Sequence, residues 1–159
     1  MHIIEYETKY RDDTIALMAE LQDFERTLCT DRTPGASMAA DHFDFLLDFS
    51  RANAGKIYLA LSGSQVVGFV VVFLEKEDEG DIHLVPEYRR YGWVSDLIVK
   101  QDHRGSRAAS LLMEYAEQHC VSLGVRRIKV GTLHNNERAR HFYKKAGYSV
   151  YEVIYSKAI

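Results

Sequence analysis

Residues 97–112 read Leu97-Ile98-Val99-Lys100-Gln101-Asp102-His103-Arg104-Gly105-Ser106-Arg107-Ala108-Ala109-Ser110-Leu111-Leu112, and they fix how the chain is organised. Leu97, Ile98 and Val99 end a stretch that is a strand by composition from Trp93 onward. After a polar turn, Ala109, Leu112, Met113, Ala116 and Cys120 recur at helical spacing between Ser106 and Leu123, and Gly124 supplies the stop. Arg127 to Thr132 is again strand-like. Strand, helix and strand in this order close a right-handed βαβ unit, so the Trp93 and Arg127 strands run parallel.

The start of that helix has a chemistry of its own. Its first amides lack partners inside the helix and the macrodipole adds about half a positive charge there, so an anion is a natural ligand. Arg104 and Arg107 strengthen the field. A plain capped helix accounts for the same residues, and at this point both readings stand.

Working outward, Ile3 to Thr8 is a short strand, and Ile15, Met18, Leu21, Phe24 and Leu28 make the apolar stripe of a first helix. Thr33-Pro34-Gly35 breaks the pattern before a second helix, Ser37 to Arg51, with Met38, His42, Phe43, Leu46, Leu47 and Phe49 on a broad apolar side. Ile57 to Leu61 and Gln65 to Leu74 flank Ser62-Gly63-Ser64 as an antiparallel hairpin. Glu75 to Gly92 is polar apart from Ile82 to Val85 and reads as a long loop, with an aromatic and basic tip, Tyr88 to Tyr91, placed to line a pocket. Downstream, Asn136 to Ala146 is a helix capped by Gly147, and Ser149 to Ser156 alternates as a closing strand. That last strand can close its own sheet or pair with another subunit, which would make a homodimer.

The expected fold is one domain over residues 1–159 of the α/β class (α+β by some schemes), a mixed sheet with helices on both faces. In such sheets ligands bind at the carboxyl ends of parallel strands, here where Val99 runs into Arg104. The totals agree: 159 residues, 47% of them hydrophobic, suffice for one continuous core. No run approaches the roughly 18 apolar residues of a membrane span. The first residues lack the basic start and apolar block of an export signal, so a cytoplasmic location is expected. A net charge of −3 argues against nucleic acid as a partner. Seven scattered histidines give no metal-ligand spacing, so no metal is expected, and Cys29 and Cys120 read as buried, reduced thiols.

Arg104 to Ala109 resembles the pyrophosphate loop of the GNAT (GCN5-related N-acetyltransferase) family: Arg or Gln, two residues, Gly, one residue, Gly or Ala. Asn136, Ala139, Phe142, Tyr143, Gly147 and Tyr148 match the family's second signature, Asn-x-x-Ala-x-x-Phe-Tyr-x-x-x-Gly-aromatic. The likeness is close from Trp93 to Tyr148 and extends upstream only in element order. One departure stands out: the fourth loop position is Arg107 where the family usually has glycine.

The resemblance implies a largely antiparallel sheet with a central parallel pair. It implies acetyl-CoA as acyl donor and an amine acceptor, on a small molecule or a protein, attacking directly in a ternary complex. It assigns CoA contacts to Leu97, Ile98, Val99, Arg104, Gly105, Ser106, Arg107, Ala108, Ala109 and Asn136. Tyr143 is the family-matched proton donor to the thiolate. Asp96 and His134 are candidate bases; some relatives carry a glutamate where this chain has Ser95. On an alternating strand Asp96 faces away from Leu97 and Val99 unless a bulge re-aims it. Glu20, Asp23 and Glu25 either attract a cationic acceptor or form a solvated helix face. Arg107 and the uncertain base leave an alternative, a catalytically silent acyl-CoA sensor of the same fold. A tRNA-acetylating member is disfavoured by the acidic balance.

Overall fold

The structure, a computed structural model, describes all residues from Met1 to Ile159. Five strands form one sheet in the order β1-β2-β3-β4-β5: β1 (His2–Glu5), β2 (Lys56–Ser62), β3 (Gln65–Lys76), β4 (Arg90–Val99) and β5 (Ile128–Val130). The first four are antiparallel neighbours, and β4 and β5 are parallel, as the βαβ reading requires. Helices α1 (Arg11–Arg26) and α2 (Gly35–Ala52) cover one face; α3 (Ala108–Ser122) and α4 (Glu137–Lys145) lie on the other.

The two faces are separate cores. Leu17, Met18, Phe43 and Leu46 pack on Leu59, Phe69, Val71 and Ile98, while Leu112, Met113 and Ala116 pack on Val67, Val70, Val72 and Val94. Strand β3 supplies alternate residues to both, so it is buried on each side, and this is why it reads as an unbroken apolar run.

Helices α1 and α2 approach so closely that a Cβ on Gly35 would stand 2.3 Å from the Ala19 carbonyl oxygen, and the Asp23 carboxylate accepts the Gly35 amide at 2.8 Å. Gly35→Ala must push the helices apart, and we expect a loss of about 1–3 kcal/mol, read as a shifted midpoint in urea unfolding.

Several expectations change. The hairpin of β3 and β4 takes in Glu75 and Lys76 on one side and Arg90 to Gly92 on the other, so the loop shrinks to residues 77–89. Ile82 and Val85 are exposed and form no strand. At the tip, Tyr88 stacks on Arg127, and Tyr91 on Lys129, whose ammonium pairs with Glu77 at 2.6 Å. Cys120 is buried and Cys29 only half-buried, its thiol donating to Asp31 at 2.9 Å. Residues 149–156 form no strand; the chain leaves α4 as an exposed tail. The parallel pair therefore ends the strand order instead of sitting inside it.

Candidate active site

The β4 strand carries the decisive irregularity. Val71 pairs with Asp96 and Val72 with Val94, so Ser95 is an extra, bulged residue. The bulge switches parity. Before it, Trp93 packs with the α1/α2 core and Val94 with the α3 core; after it, Ile98 belongs to the α1/α2 core, and Leu97 and Val99 to the α3 core. Asp96, the partner of Val71, is thereby turned to the α1/α2 side.

The same place is where the sheet opens. Pairing of β4 with β5 runs only from Gly92↔Ile128 to Val94↔Val130. The Lys100 amide donates to Val67 on β3 at 2.8 Å, so on the alternating strand the amides of Leu97 and Val99 point the other way, into the gap. A cleft of about 280 Å³ occupies it, lined by Leu97, Ile98, Val99, Arg104, Gly105, Ser106, Ala109, Asn136 and Tyr143 among others. Thus nine residues singled out from sequence converge on one cavity. A larger hollow, about 400 Å³, is a dent in the outer side of α3 lined by Glu114, Glu117, Gln118, Val121 and Ser122. It involves one helix only and no chemistry-bearing constellation.

At the floor of the cleft the chain makes a 3-10 turn, Gln101–His103, and then the approach to α3. Gly105 has φ +78°, which its missing side chain permits, and no neighbouring atom lies within 4 Å of where a Cβ would be. The amides of Gly105, Arg107, Ala109 and Ser110 donate to no protein acceptor, and the Ala108 amide is held by Ser106 Oγ at 3.2 Å. The helix begins at Ala108, two residues later than its composition suggests, with Arg107 at its N-cap. Arg107 adopts φ −76° and ψ 0°, which arginine accepts freely, with its side chain in solvent. The departure from glycine is accommodated without strain. Ala108 itself is fully buried beneath the turn.

Tyr143 projects from α4 into the cleft. Its ring packs edge-on against Phe142 and Tyr148 at centroid distances of 5.4 and 5.8 Å. Burial pushes its phenol up to about 12, helped by the negative charges of Asp96 and Glu25. Asn136 caps α4, its Oδ1 accepting the Ala139 amide at 3.1 Å, so its capping role and its place in the lining coexist.

Asp96 is held by a hydrogen bond from Ser95 Oγ at 2.5 Å. Burial raises its carboxyl above the ordinary range, against the opposing effects of that hydrogen bond and of nearby His42. His134 lies in the exposed segment before α4 and stands outside the cleft lining; only its backbone carbonyl is engaged, by Arg140 at 3.2 Å.

The three acidic residues of α1 singled out from the sequence have partners. Glu20 pairs with Arg104 at 3.2 Å, Asp23 with the Gly35 amide, and Glu25 with Arg32 at 3.3 Å. Arg104 also donates from Nε to the Val99 carbonyl at 3.1 Å, which ties the strand end to the turn.

Some lining residues escaped the sequence. Leu21 and Phe24 of α1 form one wall, although their spacing marks them only as core. Arg138 lies over the Phe24 ring at 4.5 Å, and burial, with Arg104 nearby, lowers its pKa. Its signal was its place inside the second signature, two residues after Asn136. His103, His141 and Phe142 complete the wall.

A mixed sheet that splays beside a bulge thus opens a cleft above an amide-rich helix start and opposite a buried phenol. The sequence profile of the acetyltransferase (GNAT) family matches residues 17–148, and the chain belongs to that family. It is 33% identical over 92 residues to GCN5-related N-acetyltransferase 10, chloroplastic, of Arabidopsis thaliana, which covers 58% of this chain and 36% of the relative. The chain thus matches about a third of that relative's length. Among solved structures, a tetramutant of the BH1408 protein of Bacillus halodurans superposes with a TM-score of 0.83 at 17% identity over the whole of both chains. The aminoglycoside N-acetyltransferase AAC(6')-Iy, solved in complex with CoA, gives 0.68 at 13% identity over 99% of each chain. At those identities the solved structures speak for the fold. No helix is long and apolar enough to cross a membrane, and no cluster of three metal-ligating side chains is present.

Proposed function

We propose that the protein transfers an acetyl group from acetyl-CoA to a primary amine, on a small molecule or a protein, by direct attack within a ternary complex. The observation that carries this reading is the coincidence, in one cleft, of the outward amides of β4, the free amides before α3 and the phenol of Tyr143.

The fit to a CoA thioester follows from the donor set. Amides of Gly105, Arg107, Ala109 and Ser110 lack acceptors in the protein and sit at a helix start, a natural cradle for a diphosphate. Arg107, exposed beside these amides, adds a positive charge. Acetyl-CoA supplies the activated acyl group and a thiolate leaving group.

The chain's own residues then divide the work. The Leu97 and Val99 amides are aimed where negative charge on the acyl oxygen would develop, and there they stabilise it. Asp96, the carboxylate beside the bulge, takes the proton that the attacking nitrogen must lose as its N–C bond forms. Tyr143, protonated throughout the physiological range, gives its proton to sulfur as the C–S bond breaks. Neither Asp96 nor His134 is among the residues lining the cleft; Asp96 is preferred as base because the bulge turns it to the buried α1/α2 side, where its charge is felt by Tyr143, while His134 is exposed.

The test is release of free thiol from acetyl-CoA in the presence of a panel of primary amines, beside a calorimetric titration with CoA. Release with at least one amine class supports transfer. Binding without release for every amine, with Tyr143→Phe having no effect, would replace this reading by a silent CoA sensor. Absence of binding to any CoA species would remove both.

A further inference from the structure

Two arginines line the cleft, and only one of them is compensated. Arg104 donates to the Glu20 carboxylate at 3.2 Å and to the Val99 carbonyl at 3.1 Å. Arg138 has neither kind of partner. Its guanidinium lies 4.5 Å from the centre of the Phe24 ring and makes no hydrogen bond or ion pair within the chain. Partial burial and the charge of Arg104 lower its pKa, against the smaller opposing effect of Glu20. Arg138 is exposed at the rim, as most arginines are. What sets it apart is that its head rests on an aromatic wall of the cleft and keeps all its donors free for a ligand.

Its position points to the acceptor and away from CoA. A CoA diphosphate has its donors in the turn before α3, at the free amides of Gly105, Arg107, Ala109 and Ser110. Arg138 starts from α4, on the α3 side of the sheet, and its guanidinium reaches the ring of Phe24 on α1. The bulge turns Asp96 to that same α1/α2 side. An amine that gives its proton to Asp96 therefore arrives on the side where Arg138 is stacked. Arg138 and Tyr143 are five residues apart on α4, about 7.5 Å of helix rise, so one small molecule can reach from one to the other.

Resting on the transfer reading above, we propose that the acceptor is a small aminocarboxylate, such as a free amino acid, whose carboxylate is gripped by the Arg138 guanidinium while its amine faces the acyl carbon. The planar guanidinium presents paired N–H donors that match the two oxygens of a carboxylate. The Phe24 ring holds that plane by a cation–π contact, so less side-chain freedom is lost on binding. Leu21 and Phe24 offer the rest of the acceptor an apolar wall. Arg138 sets specificity and takes no part in making the N–C bond or breaking the C–S bond.

The test pairs each amino acid with the amine left when its carboxylate is removed: lysine with cadaverine, phenylalanine with phenethylamine, leucine with isopentylamine. Thiol release from acetyl-CoA gives kcat/KM for every member with the native enzyme, Arg138→Gln and Arg138→Lys. Comparing the same pair across enzymes cancels the amines' own basicity. The native enzyme should prefer the carboxylate-bearing member, and Arg138→Gln should reduce that preference about tenfold or more, mainly through the acceptor's KM. Arg138→Lys, which keeps the charge without the fork, should fall between the two. The residue is exposed in the first turn of α4, so both variants should melt with the native protein. An equal preference in the native enzyme and Arg138→Gln overturns the assignment while leaving transfer intact. If Arg138→Gln instead keeps the preference and loses more than about threefold in calorimetric affinity for CoA, the arginine serves a CoA phosphate and the proposal is overturned. Absence of thiol release with every amine removes the transfer reading, and this inference with it.

Discussion

Tyr143→Phe is expected to lower kcat for amine acetylation by about 100-fold while leaving KM for acetyl-CoA within about twofold, since a positioned acid contributes about 10²- to 10⁴-fold. The substitution removes one oxygen. The ring retains its edge-on packing against Phe142 and Tyr148, and the melting temperature should stay where it was. A tyrosine that served packing alone would show the reverse, a small stability change with unaltered turnover. The pH profile adds a second criterion. Burial holds the phenol at about 12, so the acid form persists far above the usual tyrosine range. Deprotonation of Tyr143 should therefore impose no falling limb between pH 8 and about pH 10, where an unperturbed phenol would begin to lose its proton. Unchanged turnover in the Phe variant would remove the donor role, and a falling limb near 10 that the variant abolishes would show that the phenol titrates unshifted.

The layout of the fold was legible because its main signals are local. The helical stripe after Ser106, the caps Gly124 and Gly147, the turn at Gly63 and the βαβ order each act over a few residues, and their φ values of +73°, +92° and +61° at those glycines carry the same message. The residues singled out at the end of β4, in the turn before α3 and in α4 converged on one cleft for the same reason, since each belongs to a strand end or helix start defined by its neighbours.

What composition could not convey was non-local. A bulge is a property of two strands in register, and nothing in Val94-Ser95-Asp96 alone says which residue is skipped by Val71 and Val72. Leu21 and Phe24 look like core because a wall of an open cleft and a buried stripe share one periodicity. The tail failed in the opposite sense: its strand propensity is real, but a ladder needs a partner, and within one chain none is in place.

Asp96→Asn separates catalysis from stability beside the bulge. The amide keeps the size of the side chain and an acceptor for Ser95 Oγ, and it removes the charge. If Asp96 is the base, kcat/KM at neutral pH should fall by about 100-fold. The deficit should shrink as pH rises toward the acceptor amine's own pKa, near ~10.4 for a lysine-like amine, because the fraction that needs no base then grows. In the native enzyme the rising limb set by Asp96 should lie above the ordinary aspartate value of about 3.9, because burial raises its carboxyl, and the variant should lack that limb. Stability should move the other way. A folded-state pKa above the unfolded one means that the native state favours the protonated form. The favourable contribution is complete below the unfolded pKa and is lost as pH rises through the folded pKa. Relative to the native protein, the Asn variant should therefore match in melting temperature at pH below about 4 and equal or exceed it at neutral pH. A variant that is destabilised at neutral pH but keeps its kcat/KM would mark Asp96 as a structural anchor of the bulge, and the proton would have to leave by another route.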